Sequence, residues 1–160
     1  MPARSAILTA SLPVTSQDST VAFPNGMAVT ADNATLIVAD SYRHQLVAFD
    51  IAGDNSLAGR RTWADLGESA PDGICVDAEN AVWYAEVPGK RCARVAEGGA
   101  VLQTIPLDRG GFACVLGGQD GTTLFITAAE WRGMTGPEMV TPESGEILAI
   151  DVDVPGAGWP

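Results

Sequence analysis

Three segments of this 160-residue chain repeat one pattern. They are PNGMAVTADNATLIVAD (24–40), PDGICVDAENAVWYAEV (71–87) and FACVLGGQDGTTLFITAA (112–129). Each places a short apolar strand, a turn built on Asp or Glu with Asn or Gly, and a second strand. Asn25 and Asp72 are 47 positions apart, and Asp72 and Ala113, its counterpart by this alignment, are 41 apart. A period of this length, punctuated by turns and lacking apolar stripes at helical spacing, predicts an all-β chain of four-stranded propeller blades.

The stretches between the repeats supply further strands: HQLVAFDI (44–51) and RRTWADL (60–66), then RCARVAE (91–97) and AVLQTIP (100–106). Gly53–Ser56 and Gly98–Gly99 read as hairpin turns. The third unit continues with GEILAIDV (145–152) after a loop over 132–144, and its fourth strand is missing. SAILTAS (5–11) reads as a lone strand ahead of the first unit, able to fill that role or to finish a preceding blade. The chain therefore divides into units at about 20–66, 67–106 and 107–152, with an extra strand in 1–19 and a tail over 153–160. Three blades leave two apolar blade faces uncovered. This predicts either a piece of a longer protein or pairing with another chain, including a homodimer that completes the ring.

Acidic residues outnumber basic ones 20 to 9, for a formal charge of −11, which excludes phosphate backbones and anionic lipid surfaces as partners and accepts a cation. Cys75, Cys92 and Cys114 form an odd set without CxxC spacing, and the N-terminus lacks the pattern of an export signal. These features predict reduced thiols and a cytoplasmic setting.

The run from FPNGMAVTADNATLIVADSYRHQLVAFDI through RRTWADLGESAPDGICVDAENAVWYAEVPGKRCARV and GGFACVLGGQDGTTLFITAAEW to VPGAGWP resembles the second half of the gluconolactonase, senescence marker protein (regucalcin) and luciferin-regenerating enzyme family. The likeness spans about residues 20–160. It implies a six-bladed propeller with one divalent cation (Ca²⁺, Zn²⁺, Mn²⁺, Mg²⁺ or Fe²⁺) in its channel, and activity as a metal-dependent hydrolase of sugar lactones. In that family the Asn of PNG and the Asp of PDG are metal ligands, so the resemblance assigns Asn25 and Asp72 here. It also makes Asp72 the catalytic general base. An amide and a carboxylate are hard donors suited to such a cation. The family's remaining ligand, a Glu, comes from the other half, so the resemblance implies that this chain alone is inactive. Two rival readings stand beside it: a non-catalytic propeller fragment that binds a partner or itself, and a phosphotriesterase-like hydrolase.

Other residues carry plainer readings. Asn-Gly and Asp-Gly are ordinary turn pairs, and Ala113 offers no donor. His44 reads as a solvated turn residue, Cys75 and Cys114 as inert buried thiols, and Trp63 and Trp83 as packing between blades. Trp131 is a candidate to border the site. Asp32, Asp54, Glu79 and Asp120 read as solvated loop tips.

Overall fold

The computed structural model describes residues 15–17 and 20–158. The segment expected as a strand at 5–11, and Trp159, lie outside these residues. The first sheet has the order β1 (Pro24–Val29), β2 (Thr35–Asp40), β3 (Gln45–Ile51) and β4 (Leu57–Asp65). The second repeats it with β5 (Pro71–Val76), β6 (Val82–Glu86), β7 (Arg91–Val95) and β8 (Val101–Pro106). Among the described residues a third sheet has β9 (Gly110–Gly117), β10 (Thr123–Ala129) and β11 (Glu146–Asp151), in the order β11-β10-β9. All pairings are antiparallel. The all-β architecture of blade-like sheets is thus the one expected, including the short third unit.

The turn after each innermost strand shows why the repeat takes this form. Asn33, Asn80 and Gly121 occupy equivalent positions, and each has a positive φ, between 58° and 73°. Asn and Gly tolerate this left-handed region best, and there the chain reverses. The residue's N–H donates three positions back in each case, to Thr30 O, Asp77 O and Gly118 O.

Alternation along the strands then builds two interfaces. Ala28, Ile37, Leu46 and Trp63 of the first sheet pack on Ile74, Val82, Tyr84 and Val95 of the second. The opposite face of the second sheet, with Cys75, Trp83, Cys92 and Ile105, packs on Cys114, Leu124 and Ile126 of the third. Trp63 and Trp83 therefore serve as packing residues, both nearly inaccessible. A third cluster, Val38, Val47 and Phe49 with Val21, Leu36 and Leu57, lies on the outer face of the first sheet. Among the described residues no helix is long and apolar enough to cross a membrane.

All three cysteines are free and buried at the second interface. The Cys75 and Cys114 sulfurs lie 3.9 Å apart. The bond to Cys114, together with burial, pushes the Cys75 thiol far above its usual range. For Cys114 the bond with Cys75 acts downward, but the Cys92 thiol and burial outweigh it and the net shift is upward. Such thiols are inert as nucleophiles. His44 is a turn residue with φ 53°, but it is only half exposed and its Nδ1 is buried, which corrects the expectation of a solvated side chain. The Leu66 N–H donates to its backbone oxygen and ties it beneath the end of β4.

Candidate functional site

The PNG and PDG motifs are not turns: they lie inside β1 and β5, each at a break in register. β1 pairs Pro24 with Asp40 and then Met27 with Val38, so one extra residue is accommodated around Asn25 and Gly26. β5 does the same between Pro71–Glu86 and Ile74–Tyr84, around Asp72 and Gly73. In β9 the break falls between Gly111–Ala128 and Ala113–Thr127, leaving Phe112 as the extra residue. A bulge of this kind bends the strand and re-aims a side chain.

Gly26 and Gly73 allow the innermost strands to come nearly into contact. A Cβ on Gly26 would stand 2.6 Å from Ile74 N and 2.7 Å from Gly73 Cα, and one on Gly73 would stand 2.6 Å from Ala113 Cα. Gly26, Gly73 and Ala113 are therefore the stacked equivalents, and Asn25, Asp72 and Phe112 are the residues beside them. This corrects the sequence alignment, which set Ala113 opposite Asp72. The conclusion that the third sheet offers no donor at this position stands, because Phe112 is apolar. Phe112 meets Trp131 edge to face, with ring centroids 6.3 Å apart, so Trp131 does border this row.

The structure brings Asn25 and Asp72 together on adjoining strands. Burial raises the Asp72 carboxyl above its usual range, and a hydrogen bond with the Asn25 side chain works against that rise. Ser41, which sequence reasoning missed, joins the two motifs. Asn25 Nδ2 donates to Ser41 Oγ at 3.4 Å, and Ser41 Oγ donates to Pro71 O at 2.6 Å.

Two further carboxylates, also missed, hold the loops that lead into the motifs. Asp40 is fully buried and accepts from Ala22 N at 3.1 Å and Phe23 N at 3.0 Å. Glu86, its counterpart opposite Pro71, accepts from Ala70 N at 3.2 Å and from Arg91 Nε at 2.6 Å. Both are occupied by structural partners and are positioning residues for the loops. For Asp40, burial alone acts upward, but the Phe23 and Ala22 N–H groups, the Gln45 side chain and Arg43 outweigh it and hold the carboxyl below its usual range. A depressed carboxyl contributes stability above its unfolded pKa and loses it as pH falls through the folded one. Asp40→Asn is therefore expected to cost about 1–2 kcal/mol at neutral pH. The difference from wild type should vanish in acid, which urea denaturation at a series of pH values would measure.

The donors fit a hard divalent cation in kind but not in number. Asn25 and Asp72 offer an amide oxygen and a carboxylate, whereas such ions take six or more oxygens. Among the described residues no three His, Cys, Asp or Glu side chains converge as a metal site.

Residues 5–130 match the SMP-30/Gluconolactonase/LRE-like region. The chain belongs to this family. It is 29% identical over 140 residues to 6-deoxy-6-sulfogluconolactonase of Pseudomonas putida, covering 85% of this chain and 48% of that protein. Regucalcin of Xenopus laevis is 35% identical over 138 residues, covering 79% of this chain and 44% of the relative. The calcium-binding protein regucalcin of Agrobacterium tumefaciens superposes with a TM-score of 0.74 at 19% identity, over 90% of this chain and 50% of that one. A gluconolactonase of Xanthomonas campestris is 31% identical with a TM-score of 0.57, over 66% and 34% of the respective chains. The chain thus spans about half the length of the curated relatives it matches. The fold is that of a propeller segment.

Proposed function

We propose that this chain supplies one side of the active site of a sugar-lactone hydrolase of the gluconolactonase type. The observation that carries the reading is the pairing of Asn25 and Asp72 at equivalent bulges of touching innermost strands. Ser41 bonds to the Asn25 side chain and to the Pro71 backbone of the neighbouring motif. Two relatives named for gluconolactone chemistry support it.

The roles follow from the side chains. A carboxyl whose burial raises its pKa is a stronger base than an exposed one, so Asp72 accepts a proton from an attacking water more readily. Asn25 cannot take that proton, because an amide is not a base at neutral pH; it orients Asp72 through its NH₂ group. Ser41 holds the Asn25 amide and so sets which face of it is presented. Phe112 and Trp131, in edge-to-face contact, give the third side of the row an apolar surface. A divalent cation bound at these oxygens would supply Lewis-acid polarisation of the lactone carbonyl. Its other ligands would come from outside this chain's described residues, and a lone monomer is expected to be inactive on gluconolactone.

The test is calorimetric titration of the protein with Ca²⁺ and Mn²⁺. Asp72→Ala is expected to weaken cation binding at least tenfold, as loss of a ligand does, while Asp32→Ala leaves it unchanged. Asp32 is the suitable control because its carboxylate is spent on Thr30 Oγ1 and Ala34 N in an exposed turn. Equal losses in the two variants would overturn this assignment, and chelator-sensitive lactone turnover by a monomer would overturn the expectation that the chain alone is inactive.

A further inference from the structure

A hollow of about 360 Å³ lies where the end of β4 and the loop after it face the outer strands of the second sheet. Its size is within the range of small-molecule sites. On the second sheet the wall is one cross-strand row, Tyr84, Ala93 and Thr104, with Arg91 beside it. Asp65 and Ser69 line the other side. Ala93, between the two larger side chains, is a single methyl group and leaves the space open.

Packing between sheets does not call for this polar set. The equivalents of Tyr84 and Ala93, fixed by the register beside each bulge, are Val38 and Val47 in the first sheet and Ile126 and Leu148 in the third. Both of those pairs sit in apolar clusters. The second sheet puts a phenol there instead. Tyr84 is only 2% exposed, and its hydroxyl makes no hydrogen bond among the described residues. Buried polar groups are ordinarily bonded, so the exception needs a cause. The sealed and unpartnered side-chain atoms among the described residues are His44 Nδ1 and Trp83 Nε1. The Tyr84 hydroxyl is unpartnered without being sealed, and so it opens onto the hollow.

The remaining groups are fixed and have bonding capacity left. Arg91 Nε donates to Glu86 Oε2 at 2.6 Å and Nη2 to Ser69 Oγ at 2.5 Å, which uses two of the five guanidinium donors. Asp65 Oδ1 accepts from Gly67 N at 2.9 Å, and a carboxylate accepts several more. The Arg91 charge is matched by Glu86, Asp65 adds a negative one, and the chain carries −11 overall, so an anion is repelled. A neutral molecule with several hydroxyls suits every group: it donates to Asp65, accepts from Arg91, and does either with Tyr84 and Thr104.

We propose that this hollow is a binding site for a neutral polyhydroxylated molecule, a sugar or polyol, held by Asp65, Tyr84, Arg91 and Thr104. The site is built by two sheets that pack directly on each other, and it uses none of the residues of the hydrolase reading.

The test is saturation-transfer NMR titration of the protein with glucose, inositol and glycerol, with gluconate and inorganic phosphate as charged comparators. At least one of the three neutral probes is expected to bind at millimolar concentration, and more tightly than either anion. Tyr84→Phe should weaken that binding about fivefold, the loss of one neutral hydrogen bond. It should leave the urea midpoint unchanged, because the hydroxyl has no protein partner to lose. Thr104→Trp, at an exposed strand position, should fill the hollow and abolish binding. Tyr42→Phe, at the chain's other tyrosine, should change nothing. Failure of all three neutral probes to bind would leave the hollow a water-filled space and overturn the proposal. So would tighter binding of gluconate or phosphate, binding indifferent to both Tyr84→Phe and Thr104→Trp, or a lowered urea midpoint in Tyr84→Phe with binding intact.

Discussion

Arg94→Ala should destabilise the fold by about 3–5 kcal/mol, the range for breaking a buried ion pair by removing one partner. Arg94 Nε lies 2.6 Å from Asp77 Oδ2, and the Asp77 side chain is fully inaccessible. The Asp77 carboxylate also accepts from Glu79 N and Ala81 N, so it holds the turn between β5 and β6. The same turn anchors the C-terminal segment, because Ala78 N donates to Pro155 O and Ala157 N to Val76 O. Without the guanidinium, Asp77 keeps two backbone donors but loses the positive charge paired with it. The loss should appear as a lower midpoint in urea, and as a melting temperature reduced by roughly 2–4 °C per kcal/mol. Arg94→Lys should recover only part of it, since one ammonium cannot serve both Asp77 and Glu79 with a guanidinium's fork. Asp77→Asn in the Arg94→Ala background should be milder than Arg94→Ala alone, because no uncompensated charge is left. A double variant as damaged as the single one would show that the turn bonds, and not the charge, carry the effect.

This pair also shows where reading the sequence stops. The turn itself is legible, because ADNA and AENA repeat and their Asn residues take the left-handed conformation that reverses the chain. Strand positions follow from the same spacing, and so does the shortage of a strand in the third sheet. Asp77 was not legible as a buried charge, because the exposed Glu79 next to it looks equivalent. Only the cross-strand neighbour of Trp83 on β7 reveals that an Arg stands there. In the first sheet Thr30 occupies the position of Asp77, and its hydroxyl accepts from Thr35 N without needing a charge partner. Asp40, Glu86 and Ser41 were missed for a related reason: each has a backbone partner that lies distant in sequence. Asn25 and Asp72 were found through motif resemblance, and their adjacency needed the structure. The third-sheet counterpart was misplaced by one residue because β9 has Ala113 where the others have Gly, so nothing in the letters marks its bulge.

Gly73→Ala should cost about 3 kcal/mol or more, the upper end for forcing an extra carbon into a packed interior. The usual argument for such a glycine, a turn with positive φ, does not apply, because neither Gly26 nor Gly73 is among the positive-φ residues. What excludes a side chain is the neighbouring backbone: the new Cβ would stand 2.6 Å from Ala113 Cα and 2.9 Å from Phe112 O. No rotamer change relieves a clash with main chain, so the second and third sheets must part. Parting them opens the interface that buries Cys75, Trp83, Cys114 and Leu124. The same displacement moves Asp72 relative to Asn25, because Asp72 is the next residue along the strand. Gly73→Ala is therefore expected to lower both the urea midpoint and the affinity for a divalent cation. Gly53→Ala, in an exposed turn with nothing within 4 Å of the new carbon, should change neither. A Gly73→Ala protein with unchanged stability would mean that the innermost strands are not in contact and that the pairing of Asn25 with Asp72 has another cause.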